Sequence, residues 1–362
     1  MSNAFRDLLR KIGSGAHTSE HLSRAEAAAA TQMILQQEAT PAQIGAFMIA
    51  HRIKRPTGEE LAGMLDAYNH LGPHLQPISA PYPTLVFSLP YDGRSRTAPI
   101  SVLTALIVTA ARCPVILHGG RRMPTKYGIP LIEIWQALGI DWAPLTLDQV
   151  QWVFNQTHLG FVYVPHHFPL ADDLVPYRDQ IGKRPPFATL ELIWCPYVGD
   201  AILVSGFVHP PTEHMIQAAL AHHRIHRFIT VKGLEGSCDL PRDRTCIIGI
   251  GTTQPQPNLE RLLLHPRDYG FAGKEVPLGS APDLIADIQA ALSGDATELA
   301  RSAIWNGGFY LWQSGVCSTI ESGLARADEI LTSGQAAKTL DALRMAIATL
   351  NGNKSDVLVK TN

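Results

Sequence analysis

The spacing of apolar residues divides the chain into two parts with different periodicity. In residues 1–80, apolar side chains recur at helical spacing in four short runs. Ser23 stands three residues before Glu26, and Thr57 stands three residues before Glu60, which is the spacing of a capping box at a helix start. These features predict a small all-helical domain over residues 1–80.

Short β-branched runs alternate with helical stretches in the rest of the chain. The predicted strands are TLVFSL, PVILHG, AILVSGF, RFITVKG and TCIIGIG. Strands that alternate with helices are typical of βαβ units around a mostly parallel sheet. Residues 81–362 are therefore predicted to form an α/β domain, which follows a proline-rich linker at Pro73 to Pro83.

Composition excludes several classes of protein. Hydrophobic residues make up 46% and charged residues 17%, which supports a full core and excludes a disordered chain. Thirty basic and 32 acidic side chains give a formal charge of −2, which excludes a globally basic nucleic-acid binder but leaves a local basic patch open. No apolar run approaches the roughly 20 residues that cross a bilayer, and the N-terminus lacks the apolar segment of a signal peptide. We therefore expect a cytoplasmic protein without membrane contact.

Charged and polar residues gather after two of the predicted strands. After TLVFSL come Asp92, Gly93, Arg94 and Arg96; after PVIL come His118, Gly119, Arg121, Arg122, Thr125 and Lys126. Arginine forks bind phosphate oxygens bidentately, so the two segments predict a phosphate or anion site if they meet. A solvated charged loop is the alternative interpretation.

Three segments of the chain resemble the anthranilate phosphoribosyltransferase family, and they follow one another in the same order as in that family. The stretch ATPAQIGAFMIAHRIKRPTGEELAGMLDA resembles the small helical domain of that family, and NGGFYLWQSGVCSTIESGLARADEILTSGQA resembles its closing helices. The block from DGRSRTAPIS to IWQALG resembles the segment that carries the GTGGDG, NIST and KHGNR motifs and a serine pair. The resemblance implies a helical domain beside an α/β domain, as in pyrimidine nucleoside phosphorylases. It also implies a homodimer through the helical domain, with which the helix near 171–187 is expected to pack.

The resemblance assigns donor-binding roles to several positions and also shows departures. Its motifs place the donor's phosphates near the residues Asp92, Gly93, Ser101, His118, Gly119, Arg121 and Thr125. The first four positions of GTGGDG are replaced by Ser88-Leu89-Pro90-Tyr91, and Pro90 has no N–H to offer a phosphate. We therefore expect arginine side chains to replace part of the family's backbone recognition of phosphate.

The resemblance also implies a magnesium site and an acceptor site. Ser101 matches a magnesium-binding serine, while Asp239 and Glu235 are the nearest matches to an aspartate–glutamate pair, so we expect a weakened Mg²⁺ site. Arg178 is the best match to an arginine beside the acceptor amine. The following segment, PPFATLELIWCP, departs from the family's acceptor loop, so anthranilate is not the expected acceptor.

Three functions remain open on this basis. The first is pentosyl or phosphoribosyl transfer from a phosphoribosyl diphosphate-type donor to an unidentified acceptor. The second is a catalytically inactive paralogue that binds nucleic acid or another polyanion through the arginine cluster. The third is a regulatory interaction protein that uses the dimer scaffold alone.

Overall fold

The computed structural model describes residues 3–15 and 17–359, with side chains over 4–15 and 17–350. Its helices are α1 (Asn3–Gly13), α2 (Arg24–Leu35), α3 (Pro41–Lys54), α4 (Gly58–Leu71), α5 (Ser101–Ala110), α6 (Leu131–Ala137), α7 (Leu147–Thr157), α8 (Val164–His167), α9 (Pro169–Asp172), α10 (Val175–Gln180), α11 (Phe187–Leu190), α12 (Pro210–Leu220), α13 (Ala281–Leu292), α14 (Glu298–Gln313), α15 (Ile320–Thr332) and α16 (Gln335–Val359). Its strands are β1 (Thr84–Ser88), β2 (Val115–Gly119), β3 (Leu159–Tyr163), β4 (Ala201–Gly206), β5 (Arg227–Val231), β6 (Cys246–Thr252) and β7 (Asn258–Leu264). Within these ranges, none of the helices combines the length and the apolar character that a bilayer span requires.

The first four helices form a small bundle, as the sequence predicts. α2 packs along α4, and α1 packs against α3. Ser23 and Thr57 make the predicted capping boxes with Glu26 and Glu60 at the starts of α2 and α4. These caps satisfy backbone N–H groups that a helix start leaves without an intrahelical partner.

A seven-stranded sheet in the order β3-β2-β1-β4-β5-β6-β7 forms the centre of the α/β domain. The first five strands in that order are parallel, and β6 and β7 join antiparallel. All residues of β1, β2 and β4 are buried, which is typical of parallel strands covered by helices on both faces. The prediction of a mostly parallel sheet is confirmed, whereas β3 and β7 were not among the predicted strands.

Helices from the α/β domain attach it to the helical bundle. The segment between β3 and β4 contains α10, which contacts α3, and α11, which contacts α4. α12 also packs on α4. The two helices approach closely at Gly58, where an added Cβ atom would lie 2.3 Å from the Cβ of Ala218. The two parts are therefore joined through packed helices as well as through the chain at 73–83.

Candidate active site

Several loops meet at the carboxyl edge of the parallel strands. β1 lies between β2 and β4, so the chain turns to opposite sides of β1 as the sheet is built. In open α/β sheets such a reversal leaves a crevice at the carboxyl ends of the strands, and ligands bind there. Residues 89–100 follow β1, residues 120–130 follow β2, and residues 232–245 follow β5 at this edge.

The loops after β1 and β2 are held together by backbone hydrogen bonds. Arg94 N donates to Ile129 O at 3.3 Å, and Ile129 N donates back to Arg94 O at 2.8 Å. Gly93 has φ +74°, and a Cβ atom on it would lie 2.6 Å from Ile129 O. Only glycine fits this close approach with a positive φ. The predicted residues Gly93 and Arg94 therefore fix the relation of the two loops.

The Arg94 side chain is buried in a carboxylate cluster. Its Nη1 donates to Asp239 Oδ2 at 2.5 Å and to Ser237 Oγ at 2.9 Å. Its Nη2 also donates to the Thr97 hydroxyl. Because the guanidinium is buried and engaged on these atoms, it compensates the charge of Asp239.

Glu235 is the second buried carboxylate of this cluster. Lys126 Nζ lies 2.6 Å from Glu235 Oε2, and Arg94 Nε lies 3.4 Å from Oε1. Backbone N–H groups of Arg96 and Thr97 donate to the same carboxylate at 2.9 and 3.0 Å. Burial alone would raise the pKa of Glu235, but these donors hold that pKa well below its ordinary value. Glu235 is therefore a carboxylate with its charge already compensated.

The predicted magnesium ligands are brought together but do not fit a divalent ion. Ser101 Oγ donates to Asp239 Oδ1 at 2.9 Å, and the other oxygen, Oδ2, accepts from Arg94 and from the Ile100 N–H. Glu235 is occupied by Lys126 and by the loop backbone. Across residues 3–15 and 17–359, no group of three or more His, Cys, Asp or Glu side chains could hold a metal ion. Cationic side chains, backbone N–H groups and the Ser101 hydroxyl therefore already engage the carboxylate oxygens that magnesium would need.

His118 lies in the core at the end of β2. Ser88 Oγ donates to Trp194 O at 3.1 Å, so it accepts from His118 Nε2 at 3.1 Å. His118 Nδ1 then accepts from the Tyr91 hydroxyl at 2.5 Å. Burial lowers the pKa of His118 to about 3, so the ring is neutral. The predicted donor-binding histidine has both nitrogens engaged and is fully buried, as is the neighbouring Gly119.

The remaining cations of the predicted phosphate site do not converge with Arg94. Arg121 Nη2 pairs with Asp172 Oδ2 at 2.8 Å, and Arg122 Nε donates to Glu133 Oε1 at 3.0 Å. Thr125 is exposed. The structure therefore brings together Arg94, Arg96 and Lys126 around Glu235 but directs Arg121 and Arg122 to other carboxylates, because each has an acidic neighbour of its own.

A large cleft opens between the helical bundle and the α/β domain. It encloses about 2220 Å³, open solvent included. The side chain of Arg96 is 77% exposed and lines this cleft. From the bundle come the exposed Arg52, Arg55 and Ile53. The cleft is thus bordered by cations and by apolar side chains of both domains.

A small aromatic pocket, with an accessible volume of about 40 Å³, adjoins this cleft. Its aromatic lining residues are Tyr68 of the bundle and Tyr91, Phe168, Phe187 and Trp194 of the α/β domain. Arg178 and Glu191 line both the pocket and the cleft. The predicted acceptor residue Arg178 therefore lies where the two cavities meet.

Arg178 and Glu191 form a buried ion pair at that junction. Arg178 Nη1 donates to Glu191 Oε1 at 2.5 Å, and Glu191 Oε2 accepts from Tyr91 N at 3.1 Å. Arg178 Nη2 lies 3.8 Å from Asp92 Oδ2, and Asp92 also pairs with Arg184. Burial raises the pKa of Glu191, while Arg178 opposes the rise. The junction therefore combines two guanidinium groups, of Arg178 and Arg184, with two carboxylates, of Asp92 and Glu191.

Some residues of the site were not found from the sequence. Glu191 lies in PPFATLELIWCP, which shows only a departure from the family pattern. Arg184 and Asp172 flank Arg178 in the chain, and their charges could have marked them as candidates for the site. Their ion-pair partners, Asp92 for Arg184 and Arg121 for Asp172, are set by the fold of the segment that contains α8–α11.

Comparison with known proteins identifies the family of both parts of the chain. The glycosyl transferase family helical bundle domain matches residues 6–72. The glycosyl transferase family a/b domain matches residues 92–337.

Individual relatives and solved structures extend this similarity over nearly the whole chain. The chain is 28% identical over 332 residues to anthranilate phosphoribosyltransferase of Moorella thermoacetica, covering 90% of this chain and 94% of that protein. It is 28% identical over 330 residues to that of Dehalococcoides mccartyi, covering 89% and 93%. The Thermus thermophilus enzyme structure has a TM-score of 0.76 at 21% identity, covering 96% and 100%. The Saccharomyces cerevisiae enzyme in complex with PRPP and Mg has a TM-score of 0.82 at 16% identity, covering 96% and 99%. The structural neighbours confirm the fold.

Proposed function

This chain belongs to the glycosyl transferase family, and we propose that it transfers a pentosyl or phosphoribosyl group from a phosphoribosyl diphosphate-type donor to an acceptor other than anthranilate. The observation that carries the proposal is the junction of two cavities at Arg178 and Glu191. The cleft is lined by charged and apolar side chains and is wide enough for a phosphorylated sugar, and the adjoining pocket is aromatic. A donor bound in the cleft and an acceptor held at the mouth of the pocket would face each other at this junction.

The cleft supplies groups for a phosphorylated sugar. Arg96 and Arg52, which are exposed, and Arg184, which is half-exposed, line it with guanidinium groups that suit phosphate oxygens. Asp92 Oδ1 is buried and, within the described residues, has no hydrogen-bond partner. It can accept a hydrogen bond from a sugar hydroxyl and stabilise positive charge that develops on the ring as the bond to diphosphate breaks.

We further propose that donor binding depends only weakly on magnesium. The yeast relative was solved with PRPP and Mg. In this chain Arg94 and Lys126 compensate Asp239 and Glu235, so a metal must compete with these two cations for the same oxygens. Side-chain cations then supply the positive charge near the donor.

Anthranilate fits the junction poorly. Its carboxylate would approach Arg178, which already lies beside Glu191 and Asp92. We expect that expression of this chain does not rescue a tryptophan auxotroph that lacks its anthranilate phosphoribosyltransferase. Rescue would contradict the acceptor part of the proposal.

A second candidate function is binding of nucleic acid or another polyanion without catalysis. It is favoured by the exposed arginines of the cleft, which stand beside Ile53 and Val208, 76% and 44% exposed. Phosphate contacts combined with apolar contacts to bases are typical of single-strand binding.

Calorimetric titration with phosphoribosyl diphosphate, with and without Mg²⁺ and at two salt concentrations, separates these functions. Saturable binding, retained without Mg²⁺ and weakened at least tenfold by Arg96→Ala, supports the transferase. Arg122→Ala is the matched control, because Arg122 pairs with Glu133 and is not part of the cleft lining. Absence of donor binding, with oligonucleotide binding that falls steeply with salt, supports the second candidate. If the chain binds neither phosphoribosyl diphosphate nor oligonucleotide, both functions are refuted and the regulatory interaction protein is the remaining interpretation.

We propose that the chain forms a homodimer through its helical bundle, in line with its family resemblance. Sedimentation analysis at micromolar concentration tests this prediction. Cytoplasmic location also stays a prediction.

A further inference from the structure

A second cavity lies in the α/β domain, between the turn after β7, the turn before α14 and the helices α14 and α15. Its accessible volume is about 490 Å³, against about 40 Å³ for the aromatic pocket. Pockets that hold small molecules typically enclose about 300–1,000 Å³. None of its described lining residues also lines the cleft or the aromatic pocket. The cavity is therefore large enough for a small ligand and is separate from the candidate active site.

The helices contribute apolar side chains to this cavity. Ile304 of α14 and Leu324 and Leu331 of α15 are buried residues of its lining. Phe271, in the turn after β7, adds an aromatic ring that is partly exposed. A ligand that covers these side chains removes apolar surface from water, which favours binding. The lining therefore suits a ligand with an apolar body.

Two carboxylates, of Asp295 and Asp328, line the same cavity from neighbouring turns of the chain. Asp328 lies one helical turn before Thr332, whose hydroxyl donates to Asp328 O at 2.7 Å. Gly294, which directly precedes Asp295, packs against Thr332: an added Cβ atom would lie 3.2 Å from Thr332 O. In the described part of the chain, neither carboxylate accepts a hydrogen bond or forms an ion pair. Both negative charges therefore lie near Thr332 and are uncompensated.

The guanidinium of Arg301 also lines the cavity, but it is engaged on the turn after β7. Its Nη2 donates to Gly270 O at 2.5 Å, and its carbon Cζ lies 5.6 Å from the centroid of the Phe271 ring. Two carboxylates and one guanidinium give the described lining a net charge of −1. A cationic ligand compensates this charge, whereas an anionic ligand adds a third carboxylate-type charge. The electrostatics of the cavity therefore favour a cation.

We propose that this cavity binds a small organic cation in which a protonated amine is joined to an apolar body. The ammonium group donates to the carboxylates of Asp295 and Asp328, and such charge-assisted hydrogen bonds are stronger than neutral ones. The apolar body covers the side chains that α14 and α15 contribute. This site is independent of the proposed function.

Three probes with one body and different head groups test the ligand class. 4-Phenylbutylamine, 4-phenylbutanol and 4-phenylbutyrate share a phenyl ring on a four-carbon chain and end in an ammonium, a hydroxyl and a carboxylate group. Calorimetric titration of the full chain at low salt, without any phosphoribosyl donor, is expected to show the amine binding at least tenfold more tightly than the carboxylate, with the alcohol between them. Equal or tighter binding of the carboxylate overturns the proposal, and so does the absence of amine binding at millimolar concentration.

Variants at exposed positions locate the binding site. The double variant Asp295→Asn, Asp328→Asn is expected to lose at least fivefold in affinity for the amine and less than twofold for the alcohol. Asp287→Asn on α13 is the matched control, because Asp287 is exposed and is not part of the cavity lining.

A second variant fills the cavity instead of changing its charge. Ala325→Phe is expected to weaken binding of the amine and of the alcohol at least fivefold, whereas Ala286→Phe, at an exposed position of α13 outside the lining, leaves both unchanged. Unchanged amine affinity in the double asparagine variant overturns the assignment of the carboxylates. Unchanged affinity in a folded Ala325→Phe protein overturns the location; if that variant does not fold, the double asparagine variant decides.

Discussion

Replacement of Arg94 by methionine removes the buried cation between two carboxylates. Methionine keeps much of the apolar stem, so the main effect is electrostatic. Asp239 loses a hydrogen-bonded partner at 2.5 Å, and Glu235 loses one at 3.4 Å. Breaking a buried ion pair costs about 3–5 kcal/mol, because an uncompensated charge remains in the interior. With an unfolding entropy of about 2.1 cal/mol/K per residue over 362 residues, this lowers Tm by about 4–7 °C.

The assay is thermal unfolding followed by circular dichroism, with and without millimolar Mg²⁺. Arg96→Met is the matched control from the same loop: Arg96 is 77% exposed and lies 3.8 Å from Glu235, so its loss costs less than about 1 kcal/mol. Mg²⁺ is expected to raise the Tm of Arg94→Met, whose carboxylates are left with fewer cations, and not that of the unmodified chain. Adding Asp239→Asn to Arg94→Met should recover part of the loss. Equal Tm values for the Arg94 and Arg96 variants would refute the reasoning.

Two further predictions concern the core and the domain contact. The lowered pKa of His118, about 3, means that the unfolded chain binds an extra proton between pH 3 and 6.5. This stability contribution is therefore present above pH 6.5 and falls by about 2 kcal/mol between pH 6.5 and 5. His118→Gln should flatten the pH dependence of the unfolding free energy measured in urea, and an unchanged pH dependence would contradict the role of His118. Gly58→Ala should destabilise by about 1–3 kcal/mol in the same assay, because its new methyl would overlap Ala218. Gly45→Ala, with nothing within 4 Å inside α3, should instead stabilise by up to about 1 kcal/mol, and a stable Gly58→Ala protein would contradict the close domain contact.

Local patterns predicted most of the fold. Capping boxes such as that of Thr57 and Glu60 depend on residues three apart, so the sequence contains them in full. The five predicted strands are short apolar runs, and such runs are typical of a covered parallel sheet. β7 was missed because it lies largely exposed at the edge of the sheet, where Glu260 and Arg261 interrupt the apolar pattern.

The site was predicted less well, because charge compensation is a long-range property. Arg94 and Arg96 are two positions apart, yet one is buried on Asp239 and the other faces the cleft. The sequence shows that cations are close together, but not which of them meets a carboxylate 145 residues away. Likewise, Glu191 becomes a partner of Arg178 only when α11 folds back against the bundle.

The aromatic pocket is lined by residues of both domains, so ligand binding there affects how stably the two domains are docked. Tyr68 belongs to the helical bundle, and Trp194 belongs to the α/β domain. A ligand that contacts both side chains binds only when the two domains are docked, so its binding free energy is added to the free energy of docking. By mass action, a concentration 100 times the Kd stabilises the docked arrangement by about 2.7 kcal/mol. Acceptor supply would thereby control the resistance of the domain junction to proteases as well as occupancy of the pocket.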